Sequence, residues 1–108
     1  MEDKRVQISA LFDLYGPALS ERQRDVLQLY YNDDLSLAEI AEDTGITRQG
    51  VRDAIKKAEK ELADLEARLG FLKKTERLRD KAEELAKAVD AAGEASLAAL
   101  VRGLLSEI

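Results

Sequence analysis

The chain has neither cysteine nor histidine among its 108 residues. Without cysteine no disulfide can form, and the two absences together remove the usual protein ligands of zinc and iron and the nucleophilic thiol. Aromatic residues make up only 5% of the chain, which has one proline and six glycines. Few residues therefore interrupt a helix, and the 36% of charged residues suits a helical protein with a charged surface.

Long apolar runs are also absent. No stretch approaches the roughly 18 apolar residues of a membrane span, and the start, MEDKRVQIS, has no apolar run behind it that would indicate a signal peptide. The sequence therefore predicts a soluble, cytoplasmic protein. Its length is that of one modest domain or of a small domain with an extension. We expect a helix-turn-helix domain in residues 1–70 and a C-terminal helical extension, for packing or dimerisation, in residues 71–108.

The sequence offers no catalytic or metal-binding pattern. It has no histidine base, no thiol, no P-loop and no glycine-rich phosphate cradle. The acidic pairs Asp33-Asp34 and Glu42-Asp43 lack the alternating oxygen ligands of a calcium loop. We interpret them as turn and helix-end residues, and we expect a protein that is not an enzyme and has no cofactor.

Residues 36–62, SLAEIAEDTGITRQGVRDAIKKAEKEL, have the pattern of a helix-turn-helix. Ser36 with Glu39 predicts a capping box at the start of a first helix. Gly45 can adopt the left-handed conformation that ends this helix sharply, and Thr47 then caps a second helix. The spacing of small and apolar residues is the one that helix-turn-helix motifs use, at Ala41, Gly45 and Val51.

Helical periodicity also precedes the motif. We predict a helix over 5–15, ended at Gly16-Pro17 because the residue before proline is displaced from the helical region. A second helix begins at Ser20 and reaches the turn at 32–34. Three tyrosines lie on apolar faces that carry leucines, and we interpret them as core residues rather than base-stacking platforms: Tyr15, Tyr30 and Tyr31.

After the motif, apolar residues alternate at spacings of four and three, which predicts one long helix from Arg48 to about Leu69. Gly70 ends it, a further long helix begins near Phe71, and a last helix follows Gly93. The prediction is an all-α fold, a helix-turn-helix domain followed by a long helix and a C-terminal helical extension. The last helix has a wide apolar face that packing within the chain or a second copy must cover: Leu97, Leu100, Val101, Leu104, Leu105 and Ile108.

The net charge of −5 is unevenly distributed. Residues 1–46 carry four basic and ten acidic side chains, whereas residues 47–60 carry five basic and two acidic ones. The second helix of the motif is therefore a basic segment on an acidic body. Phosphate neutralisation supplies most non-specific affinity for nucleic acid, so the segment favours such a contact and the body opposes a strong one.

At 100° per residue, with Val51 directed inward, most polar residues of this segment share the outer face. The candidate contact residues are Arg48, Gln49, Arg52, Lys56, Lys57 and Lys60. On nucleic acid, arginine and glutamine near the helix N-terminus would read bases and the lysines would contact the backbone. Two alternatives stay open: an acidic protein surface, or a solvated face whose charges pair at i, i+4, with Arg52 and Lys56 flanking Asp53 and Glu59.

The stretch LSERQRDVLQLYYNDDLSLAEIAEDTGITRQGVRDAIKKAEKEL resembles the helix-turn-helix in the fourth region of bacterial sigma factors, which reads the −35 promoter element. With LFDLYGPALSERQ before it, the chain resembles more closely the YlxM family of small bacterial helix-turn-helix proteins. This resemblance extends from about Ile8 to Leu69. The chain differs from the family pattern at Gly50, where alanine or glutamate is more usual, and at Arg52, where tyrosine is frequent.

Membership of that family would imply an all-helical fold and a gene usually beside those of the signal recognition particle. It would also imply a regulatory or accessory role in that targeting pathway, through contact with the particle's RNA or its GTPase subunit. The alternative is a DNA-binding transcriptional regulator that acts as a homodimer through its C-terminal helices.

Overall fold

The computed structural model describes residues 3–108; Met1 and Glu2, which begin the segment compared with a signal peptide, lie outside them. The α-helices in the described part are α1 Lys4–Tyr15, α2 Glu21–Leu27, α3 Leu37–Thr44, α4 Arg48–Leu69, α5 Phe71–Ala91 and α6 Ala95–Ser106. No strand occurs within residues 3–108, so the predicted all-α fold is confirmed. The chain forms two compact units, one that ends at Gly70 and one formed by Phe71–Ile108.

In the first unit, α4 is the central helix and contacts α1, α2 and α3. Its inward side is formed by the first part of the predicted four-three series, with Val51, Ile55, Ala58 and Leu62 all buried. Val26 and Leu27 of α2 and Ile40 of α3 complete the least exposed layer of the core. The apolar residues of the series are no longer buried at the end of α4, where Leu69 is 48% exposed.

The helix-turn-helix is formed by α3 and α4 with the caps that the sequence predicts. The Ser36 hydroxyl accepts the backbone N–H of Glu39, and the Glu39 carboxylate accepts that of Ser36. Gly45 has φ 77°, and its N–H donates to the Ala41 carbonyl. The Thr47 hydroxyl accepts the N–H of Gly50 at 2.9 Å. These bonds satisfy terminal backbone groups that each helix leaves without an intrahelical partner.

The end of α1 differs from the expected one. The helix stops at Tyr15 as predicted, but Gly16 stays in the right-handed helical region, and Gly16–Ala18 forms a 3-10 turn. The steric restriction before proline involves the Cβ of the preceding residue, which glycine lacks. The chain leaves the helical region only at Leu19, whose φ is −83° and ψ is 158°.

A π-helical turn at Gln28–Asn32 extends α2, which the sequence did not predict. The Asp33 N–H donates to the Gln28 carbonyl at 3.0 Å, and Asp34 then takes a positive φ of 59°. Aspartate tolerates this conformation better than most residues. The Arg5 guanidinium bonds the Asp34 carboxylate at 2.7 Å and ties this turn to α1. Turns of this type are frequent at functional sites.

In the second unit, α5 and α6 form a hairpin that turns at Gly93, where φ is 75°. Ala82, Ala98 and Val101 are buried between the helices, and Arg102 bonds Asp90 at 3.0 Å. The wide apolar face predicted for α6 is only partly covered within this unit: Val101 is buried, whereas Leu100 is 70% exposed. Across the part of the chain that is described, no helix is long and apolar enough to cross a membrane.

Candidate nucleic-acid interface

The six candidate contact residues all lie exposed on α4. Four of them occur at every fourth position and form a basic row that we define as Arg48, Arg52, Lys56 and Lys60. Side chains four apart on a helix have Cβ atoms about 5–6 Å from each other, so the row is continuous along the helix. Gln49 and Lys57 lie beside it, one residue after Arg48 and Lys56.

Most of the charged groups on this surface form no ion pair or side-chain hydrogen bond within residues 3–108. Lys60 Nζ lies 3.0 Å from Asp64 Oδ2, and Gln49 Nε2 donates to Asp53 Oδ1 at 2.9 Å. Within residues 3–108, no ion pair or side-chain hydrogen bond involves the other four candidates: Arg48, Arg52, Lys56 and Lys57. Arg52 and Lys56 therefore do not pair with Asp53 or Glu59, although an i, i+4 ion pair does form on this face between Lys60 and Asp64.

The carboxylate of Glu59, on the same flank of α4 as Arg52 and Lys56, is instead bound by residues outside α4. Its carboxylate accepts the Tyr31 hydroxyl, and its Oε2 lies 3.2 Å from Lys4 Nζ. Its side chain is only 15% exposed. The sequence places Glu59 next to the lysines. The phenol that binds it comes from the π turn and the ammonium from α1, and only the tertiary structure brings these elements together.

The basic row lowers the stability of the isolated helix. Like charges at i and i+4 destabilise a helix by about 0.2–0.5 kcal/mol per pair. Arg48 also lies at the first position of α4, and the first turn contains no acidic residue. A helix N-terminus favours anions and disfavours cations, so this arrangement is unfavourable until an anion binds. Such a surface is suited to phosphate or carboxylate groups of a partner.

A cleft of about 240 Å³ opens beside the basic row. Its lining comes from α1, the π turn, α3 and α4 and comprises Lys4, Tyr30, Tyr31, Leu37, Arg52, Ile55, Lys56 and Glu59. We name it the tyrosine cleft. Arg52 and Lys56 therefore belong both to the row and to the lining of this cleft. Lys4 is a site residue that the sequence analysis missed; its only signal was the basic pair Lys4-Arg5 in an acidic segment.

The tyrosines divide into two groups. Tyr15 is buried as predicted, and its hydroxyl donates to Glu66 Oε1 at 2.7 Å. Tyr30 and Tyr31 are only half-buried, and their rings meet edge to face with centroids 5.0 Å apart. The interpretation of all three as core residues is therefore correct for Tyr15 and incomplete for the pair that lines the cleft.

The phenol of Tyr31 is expected to lose its proton at a higher pH than an ordinary tyrosine does. Burial, the hydrogen bond to Glu59 and the negative charge of Glu59 raise the pKa of Tyr31 well above the ordinary tyrosine value of about 10. The folded state thus favours the protonated phenol. This contribution to stability is complete below pH 10 and is lost as the pH rises towards the folded-state pKa. We expect the phenolate absorbance of the native protein to show a late step that Tyr31→Phe removes; an unchanged titration curve would contradict the Glu59 contact.

No group of three or more acidic side chains in residues 3–108 is placed to hold a metal ion. The features that the first unit does show are an exposed cationic helix surface and an adjoining cleft lined in part by two tyrosines.

The chain was compared with known proteins. Residues 2–99 match the family model of UPF0122, described as "Putative helix-turn-helix protein, YlxM / p13 like". The chain belongs to the YlxM/p13-like family. The resemblance seen between Ile8 and Leu69 is thereby confirmed, and the match extends further, through α5 and into α6.

Individual members of the YlxM/p13-like family cover most of the chain. A UPF0122 protein of Clostridium botulinum is 53% identical over 77 residues, which are 71% of this chain and 70% of that protein. A UPF0122 protein of Symbiobacterium thermophilum is 44% identical over 86 residues, 80% of each chain. One of Halalkalibacterium halodurans is 43% identical over 90 residues, 83% of each. The description of the family names the helix-turn-helix, the motif that α3 and α4 form in this chain.

Proposed function

We propose that this protein is a non-enzymatic accessory or regulatory protein of the signal recognition particle pathway in the cytoplasm. In this proposal, α4 binds the particle's RNA or its GTPase subunit. The main structural support is the exposed cationic surface of α4, where Arg48, Arg52, Lys56 and Lys57 have no anionic partner within residues 3–108. Family membership supports the pathway, through the gene neighbourhood that the resemblance to YlxM proteins implies.

The charge distribution favours a local contact over general affinity for nucleic acid. The net charge is −5, and residues 1–46 hold ten acidic side chains against four basic ones. Long-range repulsion therefore opposes the binding of any polyanion that extends beyond α4, while the basic row attracts phosphates within reach. A structured RNA that presents a few phosphates to one helix fits these conditions better than a long duplex does.

A second candidate function is transcriptional regulation by a DNA-binding homodimer. The observation that favours it is the open apolar face of the second unit, where Leu97 and Leu104 are about half exposed, at 49% and 50%, and Leu100 is 70% exposed. A two-helix unit of this size buries little apolar surface alone, and association is a usual solution. This function requires a dimer and two half-sites at a defined spacing.

The test is a titration of the labelled protein at near-physiological salt. The titrants are the reconstituted particle, its RNA alone and its GTPase subunit alone, each with excess random duplex DNA as competitor. We expect saturable binding to the particle that survives the competitor, and the separate components identify which one α4 contacts. Absence of binding, or binding lost to random DNA, would contradict the targeting role. Sedimentation of the same samples would then show whether a dimer exists for a DNA sequence selection.

A further inference from the structure

We propose that the tyrosine cleft receives one unpaired nucleobase of the RNA that lies on the basic row. The inference rests on the proposed function and specifies which part of the nucleic acid the first unit recognises. It would make the protein a reader of bulged or looped-out nucleotides rather than of duplex sequence.

The cleft combines the three features that an unpaired nucleotide requires. Its lining includes two apolar side chains, the buried Ile55 and the half-buried Leu37, as well as the acidic Glu59. Its wall carries the aromatic rings of Tyr30 and Tyr31. Cationic side chains also line it: Arg52 and Lys56 on α4, and Lys4 on α1, which pairs with Glu59. Unpaired bases are typically recognised by stacking on aromatic rings, while nearby cations hold the flanking phosphates.

The aromatic wall is held in place before any ligand binds. The Arg5 guanidinium lies 5.5 Å from the centroid of the Tyr31 ring and donates to the Tyr31 carbonyl at 3.1 Å. The Tyr31 hydroxyl is bound to Glu59, and the Tyr31 ring fixes Tyr30 through their edge-to-face contact. Because both ends of Tyr31 are held, a base that enters the cleft does not have to order this ring, which reduces the entropy cost of binding.

The size of the cleft restricts the ligand. A volume of about 240 Å³ is less than the roughly 300–1,000 Å³ of pockets for drug-sized molecules. A cleft of this volume suits one planar ring system rather than a larger ligand. A stacked base pair within a duplex cannot enter a concave site, so the base must leave the helix. Extrusion is least costly for a base that is already unpaired.

The test uses two RNA hairpins whose stems have the same number of base pairs. One stem is fully paired, and the other carries a single bulged nucleotide. We expect the wild-type protein to bind the bulged hairpin about tenfold more tightly. Tyr30→Leu should remove this preference and leave the affinity for the paired hairpin within about twofold. Tyr30→Phe keeps the ring and should retain the preference. Lys57→Ala, outside the cleft lining, should weaken both hairpins by similar factors.

A measurement on the unmutated protein keeps the test independent of folding effects. Placing 4-thiouridine at the bulge should give a photo-crosslink to the peptides that contain Tyr30, Tyr31 or Leu37. Equal affinity for the two hairpins, or a crosslink confined to other peptides, would overturn the cleft proposal while leaving RNA binding by α4 intact. Failure to bind either hairpin or the particle's RNA would instead contradict RNA recognition itself.

Discussion

Reversing the charge at both Arg52 and Lys56, with R52E and K56E combined, is expected to weaken binding to the particle by about a hundredfold or more. Hydrogen bonds to charged groups contribute roughly 1.5–3 kcal/mol each, and 1.4 kcal/mol corresponds to a factor of ten. Both side chains are exposed and have no anionic partner within residues 3–108, so their charges are available to a ligand. If RNA is the partner, the slope of log affinity against log salt should also fall by about two.

Loss of the fold is not expected to explain this result. The double reversal places acidic groups between Arg48 and Lys60, and two of the three like-charged i, i+4 pairs of the basic row become opposite-charged. The matched control is R22E with R68E, which changes the net charge equally at exposed positions outside the six candidates. We expect the control to lower the affinity by less than about tenfold. If both double variants bound the particle as the wild type does, α4 would not be the contact surface.

Leu62→Ala is expected to lower the free energy of unfolding of the first unit by about 2–5 kcal/mol. Leu62 is fully buried on α4, and truncating such a residue removes apolar contacts and leaves a cavity. In a domain of 60–100 residues, 1 kcal/mol shifts Tm by roughly 4–8 °C. The expected fall in Tm is therefore about 8 °C or more, measured by circular dichroism or differential scanning calorimetry.

Leu69→Ala provides the matched control on the same helix. Leu69 continues the four-three series of Leu62 but is 48% exposed, so its truncation should cost less than about 1 kcal/mol. Equal losses for the two variants would show that the core extends to the end of α4. A loss only at Leu69 would require another surface to cover the end of this helix.

Local sequence signals determined the helix-turn-helix almost completely. The capping boxes at Ser20 and Ser36 and the Thr47 cap involve residues three positions apart, so a short segment contains both partners of each bond. Gly45 and Gly70 end their helices at φ 77° and 64° because glycine adopts this conformation at little cost. The same signals could not indicate the π turn, whose geometry depends on how Tyr31 and Asp34 meet Arg5 of α1.

The composition of the candidate site also followed from the sequence, because 100° per residue places the basic side chains of α4 away from Val51. Which of those charges are available was decided by the tertiary structure. Glu59 lies among the lysines in the sequence, but Tyr31 from 28 residues earlier and Lys4 from α1 hold its carboxylate. The same distant contacts form the tyrosine cleft. Helical periodicity specifies the direction of each side chain, whereas its partners depend on packing between segments far apart in the chain.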